Sequence, residues 1–250
     1  MIPVVIQART GSTRLPGKML MPFFEGKTIP ELMVEELKRH LPGAQIVLAT
    51  TLNPKDDALV MFAEKLGVSC FRGSEDNVLN RFIEAAEFFN FDACLRVCAD
   101  NPFLCGRYAR VLSDKFRKED FDYLSFVLED GTPTIRSHFG FFCEAVSIRA
   151  LKKAAGMTTE KFYVEHVTNF IYGNPDIFSV AYTPVPSVLS GRRDIRLTID
   201  TASDFEDSAS LYAEFRASGL PLTAESICSL LEGHPDMRKR MAETIAATLK

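Results

Sequence analysis

With 250 residues, 46% of them hydrophobic and 25% charged, the chain is long enough to bury a substantial core, which excludes disorder as its main state. A formal net charge of -4 with no long basic run argues against a general nucleic-acid coat protein. No apolar stretch approaches the roughly 20 residues of a membrane span, and the N-terminus enters a strand pattern without a basic leader, so neither a span nor a signal peptide is expected. The six cysteines (Cys70, Cys94, Cys98, Cys105, Cys143 and Cys228) lie scattered, most of them in apolar runs. Cys94-x-x-x-Cys98 finds no second pair to complete a zinc set, and the usage fits a reducing cytoplasm.

The apolar run Ile2–Ile6 reads as a first strand. It breaks directly into Gln7-Ala8-Arg9-Thr10-Gly11-Ser12-Thr13-Arg14-Leu15-Pro16-Gly17-Lys18. Gly11 and Gly17 let backbone N–H groups turn toward an anion, and Ser12 and Thr13 add hydroxyl donors. Arg9, Arg14 and Lys18 add charge that can answer a triphosphate. A plain basic surface turn is the alternative, and this density of cations, glycines and hydroxyls disfavours it. The loop is not a Walker A motif, since Met19 follows Lys18.

Thr28-Ile29-Pro30-Glu31 opens a helix with a capping box, running to about Leu41. Pro42-Gly43 turns the chain into the buried-type strand Ile46–Ala49, and a helix over Asp56–Leu66 ends at Gly67. Val68–Phe71 is a short strand, Glu75 to about Phe89 a longer helix, and Ala93–Cys98 a fourth strand ending at Asp100-Asn101-Pro102. This alternation predicts right-handed βαβ crossovers and a three-layer α/β/α, doubly wound, mostly parallel sheet. Ligands in such sheets gather beyond the strand carboxyl ends. The first loop, Thr50-Thr51, Arg72-Gly73 and Asp100 all fall there.

From about Phe121 the alternation loosens. Tyr123–Leu128 reads as a strand, and Thr134–Ile148 as a hairpin or irregular insertion. Helices follow over Arg149–Ala155 and from about Thr159 to Tyr172, then a strand at Phe178–Tyr182. A further strand over Ile195–Ile199 closes on Asp200, and Thr201 caps a helix that runs to Gly219. Two last helices between Thr223 and Lys250 are separated by Gly233-His234-Pro235. With no repeat or linker, residues 1–250 are expected to form one domain: a regularly alternating half (1–120), an elaborated half (121–216), and C-terminal helices (217–250).

Asp100 and Asp200 each follow an apolar strand and face the cationic loop. Two such carboxylates suit Mg²⁺, which takes one or two of them together with substrate phosphates. The competing role for each is to cap the next helix. Arg72 and Asp76 could meet a base edge or a phosphate, with Gly73 allowing close approach and Ser74 capping the helix. From those residues alone an ordinary capped helix with exposed charges is the stronger reading. His166 could donate to an acceptor or serve as a plain hydrogen-bonder, and Arg196 could neutralise an anion or pair with Asp200. His138 carries no pattern of its own.

Gln7–Lys18 resembles the N-terminal signature of the cytidylyltransferases that activate acidic sugars (acylneuraminate and CMP-KDO synthetases). The closest resemblance is to the spore-coat polysaccharide biosynthesis protein F branch, which reads Q-A-R-x-G-S-T-R-L-P-G-K. Arg72–Arg81 is similar to that branch's R-G-S-E-D-x-V-L-x-R, Thr50-Thr51 to its A-T-T, and Glu165–Thr168 to its E-H-V-T. Two departures occur: Ala99-Asp100-Asn101-Pro102 where G-D-C-P is common, and Gly140-Phe141-Phe142-Cys143-Glu144 where G-L-D-V-E is usual. The resemblance implies a nucleotide-diphospho-sugar transferase (GT-A-like) fold with an inserted acceptor subregion, and CTP and an acidic sugar as substrates. It implies Mg²⁺ at Asp100 and Asp200, and Arg9, Arg14 and Lys18 on the triphosphate. Nucleotide contacts would come from Ala8, Arg9, Gly11, Ser12, Thr13, Arg14, Lys18, Thr50, Arg72, Gly73 and Asp76. Acceptor contacts would come from Glu144, Glu165, His166 and Arg196, and a homodimer could form by analogy. The expected reaction is transfer of CMP to the sugar with release of pyrophosphate, in surface polysaccharide or glycan synthesis. A glycosyltransferase using a finished nucleotide-sugar and a non-catalytic nucleotide-binding relative stand as alternatives.

Overall fold

A computed structural model describes residues 1–248. Its frame is a seven-stranded sheet ordered β3-β2-β1-β4-β6-β5-β7. The strands are β1 (Val4–Gln7), β2 (Ile46–Thr51), β3 (Ser69–Gly73), β4 (Ala93–Cys98), β5 (Tyr123–Val127), β6 (Glu144–Ser147) and β7 (Val180–Pro184). Strands β1 to β4 are mutually parallel, as the alternation predicts. β6 runs antiparallel to both β4 and β5, and β7 is parallel to β5. The fold is therefore a mostly parallel sheet between two helical layers, the three-layer architecture that the alternation predicts.

All six residues of β2 are buried, because helices cover both sheet faces. One face packs α1 (Ile29–His40), α2 (Asp57–Leu66) and α4 (Gly106–Phe116), with α8 (Ala202–Ser218), α9 (Ala224–Leu231) and α10 (Pro235–Thr248) beyond. The other packs α3 (Val78–Phe89), α5 (Ile148–Met157), α6 (Lys161–Glu165) and α7 (Asn169–Tyr172). α1 begins at the expected capping box, in which Thr28 and Glu31 satisfy each other's backbone N–H. α2 ends at Gly67, whose φ of 59° is cheap only for glycine. The last two residues of the expected C-terminal helix, 249–250, lie outside the described residues.

Four segments depart from the sequence reading. α3 starts at Val78 because Asn77, not Ser74, accepts from the Asn80 N–H; the Ser74 hydroxyl instead accepts from Asn77 N. α4 is an element that the sequence reading lacks; its N-cap, Cys105, makes no side-chain cap bond, so no start signal marks it. The single helix expected over Thr159–Tyr172 is split into α6 and α7. Val167 between them sits at φ 37°, a conformation unfavourable for a β-branched residue, and Thr168 N donates to His166 O across it. Ile195–Ile199 is no sheet strand. It is an extended buried segment whose Leu197 N donates to His138 O and whose Ile199 N donates to Asp100 O. That second bond sets the end of this segment beside the end of β4, bringing Asp200 next to Asp100.

α8 carries a second capping box directly after Asp200. Thr201 Oγ1 accepts from Asp204 N at 3.1 Å, and Asp204 Oδ2 accepts from Thr201 N at 2.9 Å. Thr201→Ala removes one of these bonds and is expected to cost about 1 kcal/mol. In a chain of this size that lowers Tm by about 2–4 °C in calorimetry, and an unchanged Tm would contradict the cap's role.

Candidate functional site

The carboxyl ends of β1 and β4, together with the loop after β1, enclose a cleft of about 230 Å³. Arg9, Arg14 and Lys18 line it opposite Asp100 and Asp200, and Ala8, Ser12 and Thr13 contribute the rest of the loop side. The loop is pinned from beneath. Thr10 N and Oγ1 donate to Asp56 Oδ1 at 2.8 and 2.6 Å, and the Thr51 hydroxyl donates to Oδ2. Burial alone would raise the Asp56 pKa, but these donors outweigh it and hold the carboxyl below its usual value. Thr10 O in turn accepts from Ser12 N and Gly17 N, and Gly17 at φ 72° turns the chain toward Lys18.

Cations of the loop and the two carboxylates pair directly across the cleft. Lys18, only 6% exposed, places Nζ 3.1 Å from Asp100 Oδ2 and donates as well to Ile199 O. Arg14 Nη2 lies 2.7 Å from Asp200 Oδ1. The other Asp200 oxygen accepts from Arg196 Nη2 at 2.7 Å. Arg196 is buried and also grips Asp204 through Nε and Nη2, at 2.9 and 3.1 Å. Its Nη1 lies 2.7 Å from His138 Nδ1; since guanidinium only donates, Nδ1 must accept. Burial and then the Arg196 charge accordingly lower the His138 pKa.

The other expected nucleotide contacts lie outside the cleft lining. A Cβ on Gly11 would stand 3.6 Å from Glu75 Oε1, so this part of the loop abuts the start of the β3–α3 turn. Thr50 is fully buried in β2, and Asp76 is exposed. Arg72 braces the end of β2, donating to Thr51 O and Asn53 O and pairing with Asp57. At Gly73 a Cβ would come within 2.9 Å of Arg81 Cγ, so the glycine makes room for that arginine. Arg81 is wholly buried, and burial, with the Arg9 charge second, pushes its pKa down to about 10.

On the expected acceptor side, the oxygens of buried Glu144 accept from Arg96, from Tyr123 Oη at 2.6 Å and from Thr168 Oγ1 at 2.9 Å. Glu165 and His166 stand at the α6–α7 corner, where the His166 ring packs against Phe162. Burial lowers the His166 pKa; Glu165 opposes this and Arg96 adds to it. Gln7, Thr10, Asp56, Arg96 and His138 complete the site's surroundings; Gln7 and Thr10 lie within the loop motif with no role legible for them, and the other three carry no local signal. Each acts through a partner at least 46 residues away, a distance at which local spacing carries no signal.

Among the described residues, no group of three or more His, Cys, Asp or Glu could hold a metal on protein ligands alone. Asp100 and Asp200, two hard-oxygen donors in one cleft with an anion-binding loop, do fit a cation that takes its remaining ligands from phosphate and water. Among the described residues no helix is long and apolar enough to cross a membrane.

The sequence model of a family described as cytidylyltransferase matches residues 3–225. The spore coat polysaccharide biosynthesis protein SpsF of Bacillus subtilis is 31% identical over 238 residues, covering 93% of this chain and 94% of that protein. A cytidylyltransferase structure from Leptospira borgpetersenii superposes with a TM-score of 0.81 at 28% identity, covering 94% of this chain and 95% of its own. The CTP complex of a CMP:2-keto-3-deoxy-manno-octonic acid synthetase superposes at 0.63 with 16% identity, covering 85% and 98%.

The His138–Arg196 contact makes a pH prediction. Because His138 has a folded pKa below its unfolded value of 6.5, the unfolded chain binds the extra proton first, and stability falls as pH drops below that value. His138→Gln keeps an acceptor for Arg196 but does not titrate. Urea unfolding at pH 7.5 and 5.5 should therefore show a smaller stability loss in the variant than in the wild type, and equal losses would contradict this.

Proposed function

The chain belongs to the cytidylyltransferase family and is a nucleotidyltransferase, and we propose that it transfers CMP from CTP to an acidic sugar, releasing pyrophosphate, with Mg²⁺ held at Asp100 and Asp200. The observation that carries this reading is the pairing of a three-cation loop with two strand-end carboxylates in one cleft. The acidic sugar and a place in polysaccharide synthesis are supported by the SpsF relative and by the synthetase whose structure was solved with CTP.

In this mechanism Arg9, Arg14 and Lys18 bind the triphosphate and stabilise charge on departing pyrophosphate, with Ser12, Thr13 and the loop amides donating to phosphate oxygens. Arg14 and Lys18 now answer Asp200 and Asp100, so a triphosphate competes for them and releases carboxylate oxygens as it binds. With Mg²⁺ bound, the metal supplies neutralisation of the α-phosphate and a lower pKa for the acceptor hydroxyl. Arg196 keeps Asp200 aimed at the cleft through its grip on Asp204. Ala8 and Gly11 shape the loop, while Thr50, Arg72, Gly73 and Asp76 flank the nucleoside side. Glu165 and His166 are assigned to the acceptor, whereas Glu144, whose oxygens are taken by Arg96, Tyr123 and Thr168, touches neither substrate directly and acts through Arg96. Most of the rate comes from holding acceptor hydroxyl and α-phosphorus in line; no side chain is assigned as general base.

We further assign 1–120 to the nucleotide and 121–216 to the acceptor within one domain, with 217–250 as supporting helices. A cytoplasmic homodimer built through 130–180 completes the proposal, and a monomeric mass in light scattering would contradict that last element. A glycosyltransferase would release a nucleotide where this reaction releases pyrophosphate.

Competition for Arg14 and Lys18 couples metal to nucleotide. Calorimetry should show CTP binding strengthened about tenfold or more by Mg²⁺ in the wild type. In Asp100→Asn that gain should largely vanish. An equal Mg²⁺ effect in both proteins would contradict the metal assignment.

A further inference from the structure

A line of buried polar side chains crosses the second face of the sheet and ends in the cleft. Arg96 of β4 and Glu144 of β6 are register partners, with side chains 5% and 2% exposed. Arg96 Nη1 donates to Glu144 Oε2, while Tyr123 and Thr168 hydroxyls donate to Oε1. Burial works against the Arg96 charge, but the neighbouring acidic groups, Glu144 among them, outweigh it and raise its pKa above the usual arginine value. The guanidinium therefore stays an all-donor group fixed in one place.

Its Nη2 donates to Gln7 Oε1 at 3.2 Å. Gln7, the last residue of β1, is the register partner of Cys98 and lines the cleft beside Cys98 and Asp100. Since Arg96 can only donate, the amide has one orientation: oxygen toward Arg96, NH₂ away from it. Gln7 Nε2 has no acceptor among the described residues. A buried ion pair adds little net stability compared with apolar side chains of the same volume, so this one has no evident purpose in the fold alone. What it does fix is which end of one amide faces the cleft.

We propose that Gln7 is a substrate-binding residue whose Nε2 donates to a phosphoryl oxygen of the bound nucleotide, and that Arg96, set by Glu144, is its positioning residue. The inference rests on the nucleotidyl-transfer reading above. A phosphoryl oxygen is the matching acceptor because Gln7 shares the cleft with Arg9, Ser12, Thr13, Arg14 and Lys18, the donors assigned to the triphosphate, while Asp100 and Asp200 there already accept from Lys18 and Arg14. An amide adds donors there without adding charge.

Calorimetric titration of CTP with Mg²⁺ tests both parts. Gln7→Glu retains an oxygen for Arg96 but turns the NH₂ into an anionic oxygen. It should keep the wild-type Tm or exceed it, yet weaken CTP binding by about tenfold or more. Gln7→Met removes the NH₂ without adding a charge and so separates loss of the donor from charge repulsion: it should weaken CTP binding as well, and unchanged CTP affinity in either variant would overturn the proposal. The Arg96→Met/Glu144→Gln variant removes the pair without leaving a buried charge alone. It should weaken CTP binding in the wild-type background but by less than about twofold when added to Gln7→Met, because its effect runs through Gln7. Equal losses in the two backgrounds would overturn the positioning role of Arg96. Tight CTP binding by wild type with an unaffected Gln7→Glu would reject this proposal alone, whereas no CTP binding by wild type would reject the reading beneath it as well.

Discussion

Two ion pairs across one cleft, Lys18 with Asp100 and Arg14 with Asp200, organise the rest of this molecule. Each joins the loop after the first strand to a carboxylate at the end of a later apolar segment, in one case 82 residues on and in the other 186. A loop with three cations would repel itself without compensation. The carboxylates supply that compensation. In the proposed reaction a triphosphate and its metal would take over both roles, so that nucleotide affinity would depend on a divalent cation.

The surrounding architecture keeps both sides of those pairs in place. Beneath the loop, Asp56 fastens Thr10, and Thr10 gathers the amides of Ser12 and Gly17. Behind Asp200, Arg196 joins Asp204, Asp200 and His138, so the capping box of α8 and the site share a residue. Behind Gln7, the Arg96–Glu144 pair reaches from the site into the half of the chain carrying the α6–α7 corner. Each support is a charged or hydroxyl group, mostly buried and held by several partners. Such networks specify geometry more than they add net stability.

Much of this could be read in advance. β4 has the bounds that the sequence suggests, Ala93–Cys98, and the loop motif and both aspartates fall in one cleft. These features were legible because they depend on local pattern: apolar runs, turn residues, and polar residues immediately after strands. Ile195–Ile199 misleads because apolar alternation reports burial, and here burial comes without strand pairing. The break at Val167 is invisible because no Gly or Pro marks it in the sequence, and tertiary packing of the buried Val167 sets its backbone instead. Glu144 looks like an available carboxylate, yet Arg96, 48 residues earlier in sequence, faces it across the sheet.

The proposed reaction requires a cytidine triphosphate seated in the cleft between the cationic loop and the two aspartates. Parallel calorimetric titration of CTP, UTP, ATP and GTP into the protein with Mg²⁺ tests this directly. Binding should clearly prefer CTP. Equal, negligible binding of all four nucleotides would contradict it.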